Sequence, residues 1–344
     1  MSVNRDPLEL SSCTNYIMGG VTLGLGLQLV SRVARRRRCF VIAAFLAING
    51  GRFYSNAKRH AFTVAIWVSL FNVFALISCV YLSLSHLFVL CGDLGLSSDL
   101  YPLPNLRNLV MVAGHSIYTS TNCGKFDNED SWFLEPYQKN PGQAATFLAH
   151  IQVGVESAAK DEGALLLFSG GETRKDGGPR SEAQSYWFVA ESKGWFGHKD
   201  SVRDRALTEE HARDSFENLL FSVCRFRELT GSYPQNITII SYDFKRERFA
   251  QLHRPAIGFP EGSFFYVGTP TAPGSQEAAE KGEALARAQF QEDPYGCFST
   301  LHRKRLTRDP FHRFVPYPDG CPELKGLFSY CGPVPFPGSL PWTK

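Results

Sequence analysis

The sequence predicts an α/β fold, a mostly parallel sheet with helices on both faces, preceded by an N-terminal membrane segment. Three observations predict it. Short apolar runs alternate with helical patterns between residues 105 and 268. The runs lack the polar alternation of a half-exposed sheet, which is typical of parallel strands buried on both faces. Residues 61–91 contain no Asp, Glu, Lys or Arg, and a spanning helix needs only about 20 apolar residues.

We predict a transmembrane helix at residues 61–91, preceded by a basic, partly apolar arm at residues 1–60. The arm holds nine Lys or Arg against two acidic residues, a net charge of +7. Positive charge before a single span keeps the amino terminus in the cytosol and sends the body into the lumen, the arrangement we favour. A second span at residues 16–30 or 39–51 returns the body to the cytosol. A buried hairpin of core helices is the alternative to any span.

Four apolar runs and one weaker run predict the strands. The first, second and last runs are followed at once by glycine or serine, as expected where a buried strand ends. In chain order the predicted strands are residues 109–113, 164–168, 203–207 (the weaker run), 237–241 and 264–267.

Apolar residues at helical spacing predict helices between the strands. The clearest helix covers residues 214–228, where Asp214 and Glu217 form a capping-box pattern and Phe216 heads an apolar face. Gly231 ends it. The other predicted helices are residues 132–138, 143–159, 181–192 and 246–252.

The alternation breaks at residue 269. We predict a flexible Pro/Gly-rich loop at residues 270–284, followed by an aromatic extension to residue 344 that packs on the α/β domain, because a disordered tail contains few aromatic residues. The nine cysteines form no C-x-x-C pair, so we predict neither a metal site nor a dense disulfide framework. Cys321 and Cys331 are able to pair in an oxidising lumen, but we expect free thiols.

The charge distribution argues against a nucleic-acid partner. Residues 61–344 carry 27 basic and 31 acidic residues, a net charge of −4, whereas nucleic-acid-binding domains normally present a basic patch on the folded body. The chain also lacks a P-loop, a G-x-G-x-x-G fingerprint after a strand and a G-x-S-x-G elbow. The predicted partners are therefore a membrane and a small-molecule ligand.

Polar residues follow the predicted strands, at the edge where α/β sheets bind ligands. In the central stretch, residues 168–174, a glycine turn ends an apolar run and leads to a helix that begins near Ser181. Glycines allow close backbone approach, and free N–H groups at a helix start attract anions. The predicted ligand-binding residues are Gly114, Ser169, Gly170, Gly171, Ser181, Glu182, Ser215, Asn218, Ser241, Lys245 and Arg248.

Two residues are predicted to carry acid–base chemistry, Glu209 and His115. Lys245 and Arg248 would clamp an anion, with the glycine amides as its cradle. Each residue also has a purely structural explanation: His115 as a hydrogen-bonding loop residue, and Glu209 as a solvated residue at a helix start. Their shared position at strand ends predicts one pocket for an anionic, zwitterionic or nucleotide-like ligand.

These motifs resemble the domain of unknown function 218 family, which contains the bacterial proteins SanA, YdcF and ElyC, and in particular its fungal branch. The resemblance covers residues 107–268. The motifs that carry it, in order, are Gly114-His115, Ser169-Gly170-Gly171, Ser181-Glu182-Ala183, Glu209 with 214–218, and Ser241 with Lys245 and Arg248. Lys245 departs from the bacterial pattern, which usually has His at that position.

The resemblance implies a Rossmann-like three-layer sandwich of largely unassigned role. It leaves the cofactor unknown and makes S-adenosylmethionine a candidate, because one bacterial member is associated with binding it. Two functions compete. The first is a membrane-anchored domain that binds a small anionic or nucleotide-like ligand, with or without catalysis. The second is a non-catalytic membrane, trafficking or envelope-homeostasis protein. A single pocket that gathers the clusters favours the first.

Overall fold

The computed structural model describes residues 101–121 and 124–343, together with the helical residues 73, 74 and 78. The predicted basic arm and the rest of the predicted span at residues 61–91 lie outside the described residues. A search of the described residues finds no helix with the length and apolar character needed to cross a bilayer. The residues from 101 onwards belong to one compact unit.

Five parallel strands form the central sheet, with the order β5-β4-β1-β6-β7, and a separate antiparallel hairpin pairs β2 with β3. The strands are β1 (Asn108–Ala113), β2 (Ile117–Tyr118), β3 (Trp132–Phe133), β4 (Ala164–Ser169), β5 (Ala206–Glu209), β6 (Asn236–Tyr242) and β7 (Phe264–Thr269). The chain runs from β1 outwards to β5 and then returns to β6 on the other side of β1. The direction of strand order therefore reverses between β1 and β6.

Helices connect the strands and continue beyond β7. They are α1 (Gln143–Ala159), α2 (Glu182–Ser192), α3 (Lys199–Val202), α4 (Ser215–Thr230), α5 (Arg254–Ala256), α6 (Gln276–Glu292), α7 (Ser299–Thr307) and α8 (Lys325–Phe328). A π-helical turn, Arg248–His253, leads into α5.

The sheet carries a separate apolar core on each face. On one face α1 and α2 pack against the strands, and on the other α4 and the chain beyond β7 do so. The first core includes Val110, Val112, Leu166, Phe168, Phe147, Ile151, Tyr186 and Val189. The second includes Met111, Leu167, Ile239, Phe216, Leu219, Phe226, Phe290, Leu301 and Leu340. Helices on both faces of a parallel sheet confirm the predicted α/β class.

The predicted strands and long helices are observed, with shifts of a few residues at their ends. The weak run at residues 203–207 is displaced: Arg203–Arg205 is a 3-10 turn, and β5 begins at Ala206. The last strand, β7, is an edge strand with alternate side chains exposed, so it is not buried on both faces as its apolar sequence suggested.

Two local predictions are wrong, and a third holds in a different helix type. Residues 132–138 do not form a helix, because β3 takes the first two and Pro136 opens a separate 3-10 turn. The helix predicted at residues 246–252 is observed, but most of it is π-helical, over Arg248–His253, and it continues into α5. The loop predicted at residues 270–284 is mostly α6. Its Pro and Gly residues are concentrated before residue 275, whereas the Ala, Glu, Lys and Gln that follow are strong helix formers.

Two disulfides attach the chain beyond β7 to itself and to the sheet domain. Cys224 of α4 bonds to Cys321, with Cα atoms 5.0 Å apart, and Cys297 bonds to Cys331, with Cα atoms 5.9 Å apart. The expectations of free thiols at Cys321 and Cys331, or of a bond between them, are therefore wrong. The partners lie 97 and 34 residues apart in sequence, a long-range pairing that cysteine spacing does not reveal.

We expect the double variant Cys224→Ala/Cys321→Ala to lose about 2–4 kcal/mol of unfolding free energy, because this bond restricts a long loop of the unfolded chain. Urea unfolding measures the loss. The matched control is Cys297→Ala/Cys331→Ala, which opens the shorter loop and should cost less. Midpoints for both variants equal to that of the wild type would contradict the assignment.

Candidate functional site

A cavity of about 460 Å³ opens at the carboxyl edge of the sheet. It lies where the strand order reverses, beside the residues that follow β1 and β6. This is the position at which open α/β sheets bind ligands. Gly114 and His115 line it after β1, and Lys245 lines it after β6. The first turn of α4 contributes Ser215 and Asn218.

The chain beyond β7 completes the wall opposite the sheet. Helix α6 contributes Glu283, and Lys304 and Arg308 come from α7 and the residue after it. The α7 segment is attached to the start of α4 by two contacts. The Arg305 guanidinium pairs with the Asp214 carboxylate at 2.6 Å, and Arg308 donates to the Arg213 carbonyl at 3.0 Å. The cavity is therefore shared between the sheet domain and its extension.

Positive charge exceeds negative charge around this cavity. Six cationic side chains line it against three carboxylates, an excess of three with neutral histidine. The cations are Arg174, Arg213, Lys245, Arg248, Lys304 and Arg308, and the acids are Glu182, Asp214 and Glu283.

The carboxylates are already committed to arginines. Arg248 pairs with Glu283 at 2.9 Å. Arg174 lies 3.9 Å from Glu182, and Asp214 pairs with Arg305 as described above. In the described part of the chain, Lys245, Lys304 and Arg308 have no carboxylate within ion-pair distance.

The cations around the cavity act on one another. Burial, followed by the neighbouring Arg248 charge, lowers the pKa of Lys245 to about 7. Burial and the charge of Arg308 lower the pKa of Lys304 to about 8. A cation is destabilised in this way when it is taken out of water beside like charges. An anion in the cavity would relieve the repulsion.

His115 lies in the cavity wall, stacked on Tyr242 with ring centroids 4.8 Å apart. Burial, followed by the Lys245 charge, lowers the pKa of its imidazole well below the ordinary value, so the ring is neutral. Lys245 Nζ lies 3.4 Å from Nδ1, and Nε2 lies 3.1 Å from the Ser241 hydroxyl. Because an ammonium only donates, Nδ1 accepts and Nε2–H donates to Ser241. Both ring nitrogens therefore have protein partners.

Glu209 does not line the cavity. Its side chain is buried at the end of β5, where the Ser169 hydroxyl lies 2.6 Å from Oε2. The Ser169 hydroxyl also lies 3.2 Å from Oδ1 of Asn218, which does line the cavity. Burial raises the pKa of the Glu209 carboxyl to about 8. The predicted direct acid–base role of Glu209 therefore has no route to a ligand, because Ser169 and Asn218 stand between them.

The glycines pack closely but do not form the predicted cradle. The N–H groups of Gly114, Gly170 and Gly171 donate to the backbone carbonyls of Ser169, Glu209 and Ala212, respectively. A side chain at Gly114 or Gly170 would collide with Glu182. These glycines therefore let strand ends and α2 approach one another, and their amides are not free for an anion.

The other predicted residues divide between the cavity and its support. Glu182 and Arg248 line the cavity. Ser181 does not; its hydroxyl caps α2 by accepting the Gln184 N–H at 2.9 Å. Ser169 and Ser241 stand behind the wall, hydrogen-bonded to Asn218 and His115. The strand-end clusters thus meet around one cavity, either directly or through intervening hydrogen-bonded residues.

Sequence reasoning missed the contribution of the extension. Lys304 and Arg308 are four residues apart in a basic segment, the spacing that puts two side chains on one helix face. This spacing is visible in the sequence. It does not show that the two cations lie near the strand ends, because the segment is far from them in sequence. His253 was also missed; its Nε2 lies 2.8 Å from the Ser215 hydroxyl. Among the described residues, no group of three or more His, Cys, Asp and Glu side chains suits a metal ion.

Comparison with known proteins finds a relative in yeast. The chain is 28% identical to the uncharacterized protein YOR238W of Saccharomyces cerevisiae, over 61% of this chain and 86% of the yeast protein. No family model and no solved structure matches the chain. The similarity connects the chain to a protein with no stated activity, so it indicates no function for this chain.

We expect Lys245→Met to raise the melting temperature of the anion-free protein. The folded state holds the Lys245 charge at a cost, since burial lowers its pKa from 10.5 to about 7. That cost is fully present below about pH 7. It fades as the pH rises towards 10.5, the pKa of the lysine in the unfolded chain. The gain in stability from Lys245→Met should therefore fade between these two pH values. Differential scanning calorimetry across this range measures it.

The matched control is Lys281→Met on the exposed side of α6, which should leave the melting temperature nearly unchanged. A lower melting temperature for Lys245→Met at every pH would show that the ammonium stabilises the empty cavity, contrary to the charge balance.

Proposed function

We propose that this chain is a membrane-anchored α/β protein that binds a small anionic ligand in the cavity at the carboxyl edge of its sheet. The observation that carries the proposal is the convergence of Lys245, Lys304 and Arg308 on one cavity without carboxylate partners among the described residues. Like charges that are partly removed from water are costly, and such a cost is commonly retained where function requires it.

The position of the cavity supports the same proposal. The strand order, counted along the sheet domain, is 3-2-1-4-5, the order of Rossmann-like domains that bind nucleotides where it reverses. This order and the motifs quoted above agree with the proposed relationship to the domain of unknown function 218 family. A cavity of about 460 Å³ is in the ordinary size range for small-molecule sites.

The charge excess also discriminates between ligands. S-adenosylmethionine carries a sulfonium cation, which the surplus positive charge of this cavity disfavours. A ligand with two or more negative charges, such as a phosphate ester or a nucleotide, complements it. Tyr137 and Phe244 line the same cavity, so a ligand with an aromatic or apolar part also finds a surface there. We therefore propose an anionic, phosphate-bearing ligand in preference to S-adenosylmethionine.

The disulfides bear on location. Cys224, Cys297, Cys321 and Cys331 are all paired, and disulfides persist in oxidising compartments. Together with the basic arm before a single predicted span, this supports a body on the lumenal side of the membrane. Asn236 is not a suitable reporter of that location, although it begins an N-x-[ST] pattern. Its side-chain amide donates to Asn108 at 3.0 Å at the start of β6.

We expect inorganic phosphate to raise the melting temperature of the full-length protein, and S-adenosylmethionine to leave it unchanged. A ligand that binds only the folded state at 100 times its dissociation constant adds about 2.7 kcal/mol of stability. Lys304→Met and Arg308→Met should each weaken the phosphate response. The matched control is Arg303→Met, which removes an exposed cation from the same helix. A phosphate response that Arg303→Met weakens as much as Lys304→Met would contradict a specific site.

We expect the body to be protected from added protease in sealed microsomes and digested only after detergent opens them, because the single predicted span puts it in the lumen. Its four paired cysteines should resist a maleimide reagent until a reductant is added. Digestion in intact microsomes, with these four cysteines reacting without reduction, would instead put the body in the cytosol.

A further inference from the structure

The buried Glu209 carboxyl has no positive partner among the residues that the structure describes. No cation lies within ion-pair distance of it in the part of the chain that the structure describes. The His211 N–H donates to Oε1 at 2.7 Å, and the Ser169 hydroxyl lies 2.6 Å from Oε2. The other titratable groups that act on it are Glu217 of α4 and Tyr317 of the extension. A carboxyl buried without a cation holds its proton at neutral pH.

The position of that proton determines the direction of a hydrogen-bond chain. Because the His211 N–H already occupies Oε1, the proton is on Oε2 and is donated to the Ser169 hydroxyl. The hydroxyl hydrogen of Ser169 is then donated to Asn218, whose side-chain Oδ1 lies 3.2 Å away, nearer than its backbone carbonyl oxygen at 3.4 Å. Nδ2 of Asn218 then keeps two N–H donors that have no hydrogen-bond partner among the described residues, and Asn218 is one of the residues that line the cavity.

Ionisation of Glu209 would reverse the chain. The Ser169 hydroxyl would then donate to the carboxylate and accept from Asn218. Asn218 satisfies this demand only by turning its amide over, so that Nδ2 donates to Ser169 and Oδ1 faces the cavity. A carbonyl oxygen repels an anion, whereas an amide N–H binds it. One buried proton therefore determines whether the cavity presents a donor or an acceptor at this point.

The neighbouring Ser215 also has a hydrogen-bond donor available to the cavity. Its hydroxyl lies 2.8 Å from Nε2 of His253, which is fully buried and has no partner for Nδ1 in the described chain. Leaving a lone pair unpaired is less costly than leaving an N–H unpaired, so the ring hydrogen is on Nε2 and is donated to Ser215. The hydroxyl hydrogen of Ser215 is then free for the cavity.

We propose that Glu209 is a positioning residue that, through Ser169, holds Asn218 as a hydrogen-bond donor to a phosphoryl group bound at the first turn of α4. Ser215 is the second neutral donor, and Lys304 and Arg308 supply the charge, since α7 is attached to this turn through Arg305. Such a set of donors suits a tetrahedral dianion that only accepts hydrogen bonds. This inference deepens the proposed function and depends on it.

The first test compares wild type with Glu209→Gln, full length and purified in detergent, by calorimetric titration with sulfate. Sulfate is a tetrahedral dianion whose charge is constant from about pH 6 to about pH 10, so the probe itself does not titrate. The amide that Glu209→Gln introduces donates to Ser169 and accepts from His211 at every pH. Lys245 and Lys304 titrate in both proteins, and their contribution cancels in the ratio of dissociation constants.

We expect equal sulfate affinities at about pH 6.5 and, once Glu209 ionises above about pH 8, a wild type that binds sulfate about 10-fold more weakly than Glu209→Gln. A ratio that stays constant with pH would overturn the positioning role, as would a Glu209→Gln protein that binds weakly at every pH. Ser169→Ala, which breaks the chain, should lose the pH-dependent component and bind more weakly than wild type at about pH 6.5.

The second test is Asn218→Asp, which keeps the shape of the side chain and replaces the Nδ2 donor with an oxygen. At neutral pH we expect at least about 10-fold weaker binding of both sulfate and inorganic phosphate. A melting temperature near that of wild type shows that the variant is folded, and unaltered binding by a folded variant overturns the inference. If wild type binds neither anion, the proposed function fails together with this inference. If it binds both with a constant ratio, only this inference fails.

Discussion

Repulsion between half-buried cations around one cavity is the interaction that determines the character of the site. Lys245, Lys304 and Arg308 face the same space without carboxylate partners among the described residues. The lowered pKa values of the two lysines express the cost of that arrangement. If the backbone were free to move, these cationic side chains would move apart into solvent. The cluster persists because the backbone segments that carry it are held by other contacts, and an anion would convert its cost into affinity.

Those other contacts come from both ends of the fold. The buried strands β1 and β6 are neighbours, so the residues that follow them lie side by side. The strand pairing therefore brings His115 and Lys245 together. On the opposite side, the Cys224–Cys321 bond and the apolar contacts of Phe290 and Leu301 keep the extension against α4. Arg305 then attaches α7 to Asp214. The cation cluster thus depends both on the sheet domain and on the extension that follows β7.

The sequence predicted what depends on local pattern. Strand positions, the long helices and the polar residues at strand ends followed from periodicity, and Gly114, His115, Ser215, Asn218 and Lys245 do line one cavity. Long-range features could not be predicted in this way. The partner of Cys321 is 97 residues away, and Lys304 joins the site only through packing of the extension. Glu209 was given a chemical role because it is polar at a strand end, but its burial behind Ser169 becomes visible only in three dimensions.

The most direct measurement is a crystal structure of the full-length protein grown with sulfate. We expect a tetrahedral density in the cavity within hydrogen-bond distance of Asn218, Lys304 and Arg308, with the Ser215 hydroxyl directed towards it. Lys245 should lie on the same side of the cavity, close enough to share the charge. An occupied sulfate site elsewhere on the surface, with this cavity filled only by water, would contradict the claim that the cation cluster exists to bind an anion.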